Sequence, residues 1–234
     1  MATFVRVHGA WGGAHAFRHV RTALRTEGHE VFTPSLTGIG ERVHLVSPQV
    51  DLTTHVTDVV NTVLYEDLDG MVMLGFSYGG MVVSGALEHI GERVAALVYL
   101  DAFVPADGDT VERLRGQPLD APPGLGRPWL VEGPARAYDD PAEAAFSVPR
   151  RAAQPIRSFT EPVRLPRPPE DFPFSRTYIR ATVPEPGVPA NPGFDAAAAR
   201  ARDSPAWRYH EIATTHLVPQ NRPAELAGLL LDLI

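Results

Sequence analysis

Short apolar runs separated by helical stretches recur through the first hundred residues, and this alternation most restricts what the chain can fold into. Phe4-Val5-Arg6-Val7 reads as a buried strand, and after His8-Gly9 a helix is predicted over roughly Ala14 to Arg25. Glu30-Val31-Phe32 is a second short strand. Leu52, His55, Val56, Val59, Val60, Val63 and Leu64 then fall at offsets 0, 3, 4, 7, 8, 11 and 12, one face of an amphipathic helix with Asp51 as its N-cap. Met71-Val72-Met73-Leu74 is a β run predicted to break at Gly75, a helix resumes near Gly79, and Val94 to Leu100 is another apolar strand. Strands that are apolar throughout and spaced by helices need cover on both faces. The fold class is therefore α/β, a mostly parallel sheet with helices on both sides.

The alternation lapses between Pro105 and Pro173, which hold 14 of the 23 prolines. That stretch also carries Trp129, Tyr138, Phe146, Phe159 and Phe172, a density of aromatic residues foreign to disordered tethers. It reads as an irregular cap laid over the sheet. The α/β pattern then returns, with a strand at Thr177-Tyr178-Ile179, an Ala-rich helix from Phe194 to Arg202 and a last strand from Trp207 to Ile212. A final helix starts near Pro223 and places Leu226, Leu229, Leu230 and Leu233 at offsets 0, 3, 4 and 7. With no internal repeat, residues 1–234 are expected to form a single domain carrying a cap inserted at about 105–173.

Composition narrows the chemistry. The 234 residues include no cysteine, which removes disulfides, Cys-ligated zinc and a thiol nucleophile. Against 28 acidic side chains stand 21 basic ones, a net charge of −7, whereas a nucleic-acid binder should present a basic face. All 21 basic residues are arginine, which together with the abundant Pro, Gly and Ala reads as a GC-rich genome and not as a function. No apolar run approaches the roughly 20 residues that cross a bilayer. Met1 leads directly into a strand without a secretory leader, so a cytoplasmic setting is expected, with neither membrane nor nucleic acid as partner. Nothing specifies an oligomer, and a homodimer is compatible with these features.

Gly75-Phe76-Ser77-Tyr78-Gly79 follows an apolar strand and opens a helix. A serine hydroxyl is a weak nucleophile unless held exposed beside a base and near a place for negative charge, and a sharp strand-to-helix turn presents it in that way. The flanking glycines give clearance, and the helix N-terminus adds partial positive charge. An ordinary Gly-rich turn is the competing reading. His8-Gly9-Ala10-Trp11-Gly12-Gly13, after the first strand, supplies a second Gly-rich loop. Acyl transfer needs two backbone N–H donors aimed at the developing oxyanion, and the amides of Tyr78 and Ala10 are the candidates. A phosphate-cradling loop fits less well, since no lysine is present and the dinucleotide glycine spacing is not met.

The base should be a histidine after the last strand, and His216 lies there. His15 and His19 sit one turn apart but lack a third ligand, so a solvated helix face is expected and no metal. Two residues at strand ends compete as the acid. Asp101 ends the strand expected beside that of Ser77, and Glu185 follows the strand at Tyr178. Asp101 is favoured, because Glu185 lies between prolines in a loop expected to be exposed.

The stretches VHGAW (7–11), LTGIGERVHLVSPQVDL (36–52), GFSYGGMVV (75–83) and LVYLDAFVPADG (97–108), with the His216 loop, resemble the α/β-hydrolase superfamily. More narrowly they are similar to its branch of plant methyl-salicylate-type esterases, hydroxynitrile lyases and bacterial pyrethroid-type esterases. The resemblance implies Ser77 as nucleophile, His216 as base, Ala10 and Tyr78 as oxyanion donors, and no cofactor. It also exposes departures. Phe76 stands where many members have histidine. The Thr-x-Asp loop that often carries the acid reads Thr182-Val183-Pro184. Thr215 replaces a frequent glycine. The lyases of the branch resemble a pattern with threonine where Gly9 stands and a lysine near the catalytic histidine, which this chain lacks.

The expected function is cleavage of a carboxylic ester, or a lactone, of an apolar small molecule. A lyase, cyclase or isomerase using the same Ser/His pair for acid–base chemistry is the alternative, and a non-catalytic ligand-binding protein on this fold is a third.

Overall fold

In a computed structural model that describes residues 1–119 and 128–234, six strands form one parallel sheet. In chain order the elements are β1 (Thr3–Val7), α1 (Arg18–Thr26), β2 (Glu30–Phe32), α2 (Leu52–Tyr65), β3 (Met71–Phe76), α3 (Gly79–Ile90) and β4 (Val94–Leu100). There follow α4 (Val111–Arg115), β5 (Leu130–Val131), α5 (Pro141–Ser147), β6 (Gln154–Pro155) and α6 (Arg157–Thr160). The chain closes with β7 (Ser175–Ala181), α7 (Pro192–Arg202), β8 (Arg208–Ile212), α8 (Val218–Asn221) and α9 (Pro223–Leu231). Among the described residues no helix is long and apolar enough to cross a membrane.

The main sheet runs β2-β1-β3-β4-β7-β8, with every neighbouring pair parallel. Side chains of successive strand residues point to opposite faces, and the core divides accordingly. Val5, Val7, Met71, Met73, Leu97 and Tyr99 pack against α2, α3 and α7. Phe4, Val72, Leu74, Phe76, Val98 and Leu100 pack against α1 and α9. Burial on both faces explains why these strands read as unbroken apolar runs. At α2 the Asp51 carboxylate accepts from the Thr54 amide at 2.9 Å while the Thr54 hydroxyl accepts from the Asp51 amide at 3.4 Å, a reciprocal cap worth about 1 kcal/mol.

Several expected boundaries move. The strand predicted to stop at Gly75 continues through Phe76, because Gly75 and Phe76 pair with Tyr99 and Leu100 of β4. The glycine serves packing: a Cβ there would lie 2.7 Å from the Gly79 carbonyl. The predicted single helix over 14–25 begins as a 3-10 turn, Ala14–Phe17, before α1.

Between β4 and β7 the described residues form short pieces, among them the antiparallel ribbon of β5 and β6. Residues 120–127, inside the predicted insertion, lie outside the described residues. The segment is fastened to the sheet domain at several points. Glu161 accepts from the Thr53 amide at 2.8 Å, and buried Glu143 pairs with Arg18 and His19 of α1. His19 stays half exposed on the outer face of α1 while contacting Glu143.

Candidate active site

Strand order reverses between β1 and β3, since the chain first builds outward to β2 and then returns past β1. Loops leaving the C-terminal ends at such a switch diverge and leave a crevice, the usual ligand position in open α/β sheets. The two loops that leave here carry Ala10 and Ser77.

Ser77 sits between β3 and α3 with φ +56°, a left-handed conformation costly for a side-chain-bearing residue. The turn is over-determined: the Ser77 amide donates to the Leu100 carbonyl at 3.1 Å, and the Ser77 carbonyl accepts from the amides of Gly80 at 3.1 Å and Phe103 at 3.3 Å. The turn also presses into β1, where a Cβ on Gly79 would come 2.5 Å from the Val7 carbonyl oxygen.

His216 is in the loop after β8. Its Nε2 lies 2.9 Å from Ser77 Oγ and its Nδ1 2.7 Å from Asp101 Oδ2. The ring is held between Phe76, at 4.9 Å between centroids, and Phe194, stacked at 5.2 Å. Phe76, the departure noted above, therefore forms one wall for the imidazole. Thr215, another of those departures, accepts from Asn221 Nδ2 at 3.1 Å. Burial lowers the His216 pKa more than the Asp101 carboxylate raises it, so the ring is neutral at pH 7. With Nδ1–H donated to Asp101, Nε2 is left to accept from the serine.

Asp101 follows β4 with φ +39°. Its Oδ1 accepts from Arg180 Nη1 at 2.8 Å and from the Ala181 amide at 3.3 Å, leaving Oδ2 for His216. Glu185 is spent elsewhere: it pairs with Arg136 and accepts from the Ala137 amide at 2.9 Å. It is buried, contrary to the exposed loop expected from its prolines.

The Ala10 loop is anchored on both sides. Buried His8 donates from Nδ1 to the Gly9 carbonyl at 2.8 Å and accepts at Nε2 from the Leu36 amide at 3.1 Å. Burial lowers its pKa to about 4, so it is a neutral brace. Trp11, with φ +60°, donates its amide to Gln154 at 3.0 Å and its indole N–H to the Val131 carbonyl at 2.9 Å, tying the loop to β5 and β6. Among the described residues no group accepts from the amides of Ala10 or Tyr78. The Tyr78 hydroxyl donates to Nδ1 of buried His55 at 2.8 Å.

Ser77, His216, Ala10 and Tyr78 open onto a cavity of about 550 Å³. Of the five aromatic residues noted in the 105–173 stretch, only Phe159 lines it. Phe146 lies under Arg18 and Arg150, and Phe172 packs on Phe174. Trp11, Phe103 and Phe194 supply the other aromatic surface, and Arg115, Arg136 and Arg180 also reach the wall. Among the described residues no cluster of three metal-ligating side chains occurs.

Three residues were not singled out from the sequence: Arg180, His55 and Gln154. Arg180 and Gln154 carry no local signal, since each works through a partner more than 70 positions away. For His55 the helical period shows burial, though not that Tyr78 meets it.

The profile of the alpha/beta hydrolase family matches residues 5–229. A carbendazim hydrolyzing esterase of Nocardioides sp. is 44% identical over 139 residues, 59% of this chain and 57% of that protein. An alpha-hydroxynitrile lyase of Arabidopsis thaliana is 26% identical over 53% of this chain and 48% of the lyase. The chain thus spans about half the length of the curated relatives it matches. Among solved structures, an extracellular alpha/beta-hydrolase from a Paenibacillus species superimposes with a TM-score of 0.79 at 22% identity, covering 100% of this chain and 99% of the other, which speaks to the fold.

Proposed function

The chain belongs to the alpha/beta hydrolase family, and from that premise we propose that it is a cofactor-independent serine hydrolase cleaving a carboxylic ester, or a lactone, of an apolar small molecule. One observation carries the reading: an unbroken line from Ser77 Oγ through His216 to Asp101, 2.9 and 2.7 Å long, beside a cavity of about 550 Å³. The Nocardioides relative, an esterase by name, supports ester cleavage as the reaction.

Ser77 Oγ attacks the carbonyl carbon as His216 Nε2 takes its proton. Negative charge on the carbonyl oxygen is met by the Ala10 and Tyr78 amides. His216 then gives the proton to the departing alkoxide oxygen, leaving Ser77 acylated. Water repeats the attack with His216 as base, and the proton returns to Ser77 Oγ as the acid leaves. Asp101 holds the tautomer and stabilises the imidazolium without becoming protonated. Trp11, Phe103, Phe159 and Phe194 favour an apolar, planar group beside the scissile bond. The segment from 105 to 173 acts in this reading as a cap that also braces the oxyanion loop through Gln154. A cytoplasmic setting suits a chain with no cysteine to pair.

Gly9 speaks against the lyase alternative. A Cβ there would stand 3.0 Å from Ser77 Cβ, so a threonine at this position needs the nucleophile to shift.

Intact mass after exposure to a fluorophosphonate tests the proposal. Wild type should gain one adduct, and Ser77→Ala none while keeping its fold. A folded wild type that gains no adduct, or a Ser77→Ala protein with full esterase turnover, would overturn it.

A further inference from the structure

We propose that Arg180 is a positioning residue for this reaction, orienting the Asp101 carboxylate toward His216 and offsetting part of that carboxylate's charge. The inference rests on the serine-hydrolase reading above.

Arg180 is the penultimate residue of β7, which pairs directly with β4, the strand that Asp101 follows. In the family resemblance, the loop just after this strand often carries the acid, and here it does not. The strand instead contributes a cation. Arg180 Nη1 holds Asp101 Oδ1 at 2.8 Å, and the Ala181 amide approaches the same oxygen at 3.3 Å. With Oδ1 occupied twice, the short side chain has one oxygen left, and Oδ2 faces His216 Nδ1 at 2.7 Å. The other arm of the guanidinium, Nη2, pairs with Asp195 in the first turn of α7. Asp195 is 52% exposed, so the line of charges runs from a buried imidazole outward to solvent.

The signs along this line alternate: His216, Asp101, Arg180, Asp195. The Asp101 carboxylate favours the imidazolium, Arg180 offsets part of that field, and Asp195 offsets part of Arg180. Other groups facing the pair are Tyr178, whose hydroxyl exchanges hydrogen bonds with Ala102 beside Asp101, and Arg136 with Glu185, which act on His216 with opposite signs. Phe76 and Phe194 close the two ring faces without charge. Burial opposes the charge of Arg180, but Asp101, Tyr178 and Asp195 outweigh it and raise its pKa, so the cation persists across the working range.

A neutral residue at 180 and a neutral residue at 195 should therefore move His216 in opposite directions. The readout is the rate at which a fluorophosphonate labels Ser77, measured by intact mass between pH 4.5 and 9. Labelling needs neutral His216, so its acid limb reports that group whatever the natural substrate. Arg180→Gln should slow labelling roughly tenfold and shift the acid limb upward by about half a pH unit. Asp195→Asn leaves Arg180 less neutralised and should shift it downward. Arg180→Lys, which keeps the charge but not the fork, should return the limb toward the wild-type position while labelling stays slow. If Arg180→Gln fails to fold, Arg180→Lys and Asp195→Asn carry the test. Limbs that stay at the wild-type position, or that move the same way in the Gln and Asn variants, overturn the inference and show a purely structural clamp. A wild type that does not label at all removes the hydrolase reading and this inference together.

Discussion

Asp101 and Arg6 are both charged, both set by strands of one parallel sheet and almost equally buried, at 4% and 1% exposure. Their surroundings differ completely. Three donors converge on Asp101: His216, Arg180 and the Ala181 amide. None of the three guanidinium nitrogens of Arg6 has a hydrogen-bond partner among the described residues. Its nearest compensation is the Phe17 ring, 5.3 Å away. Burial, then the like charges of Arg21 and Arg25, push its pKa down. Burial alone therefore says nothing about what a charge does. An ion with its lone pairs or protons filled becomes a rigid device, whereas one without stays a cost the rest of the core must outweigh.

The largest expected effect breaks the satisfied member. Asp101→Asn keeps the shape and removes the charge that holds the His216 tautomer, and esterase turnover should fall by about 10³–10⁴. Glu185→Gln, made in parallel, should cost less than about tenfold, because Glu185 serves Arg136 and the backbone and not the imidazole. Equal losses in the two variants would mean that the acid has been misassigned. In wild type the acid limb of the kcat/KM profile should lie below pH 6.5, since burial holds His216 below its ordinary value. A limb above that value would show that the imidazole is more solvated than its stacking between Phe76 and Phe194 implies.

Legibility follows the same division. The sheet could be read because strands buried on both faces leave unbroken apolar runs, as Met71–Leu74 and Val94–Leu100 do. Ser77 could be read because its turn is local, with strand, glycines and helix contiguous in the chain. His216 needed only the position of the last strand. The acid could not be settled, since Asp101 and Glu185 both follow strands. The difference lies in Arg136, which takes up Glu185, and in Arg180, which orients Asp101. Arg180 itself reads as an ordinary polar residue near the end of a strand. The places of the aromatics between 105 and 173 were hidden for a related reason: residue type shows that Phe146 and Phe172 need cover, not that arginines and a neighbouring phenylalanine provide it.

The unsatisfied member yields the opposite sign. Arg6→Met keeps the apolar stem against Phe17 and removes the unpartnered charge. It should stabilise the fold by about 2 kcal/mol, read as a rise of roughly 4–8 °C in Tm for a chain of this size. Because Arg6 is not among the residues that line the cavity, fluorophosphonate labelling should keep its wild-type rate. A fall in Tm would show that the guanidinium is compensated, and the contrast with Asp101 would be one of degree.

The smallest effect sharpens the comparison from outside the core. Arg93 Nη1 donates to Asp67 Oδ1 at 3.0 Å, within 0.2 Å of the length between Arg180 and Asp101, yet the Asp67 side chain is 88% exposed. Water screens the pair and solvates either partner when the other is lost, so distance alone should confer little. Asp67→Asn also tolerates the backbone there, at φ +49°, because asparagine adopts left-handed conformations readily. Its effect on denaturant-induced unfolding should be under about 0.5 kcal/mol. A loss above about 1 kcal/mol would mean that this ion pair, and not burial with full hydrogen bonding, is what gives a charge its weight in this molecule.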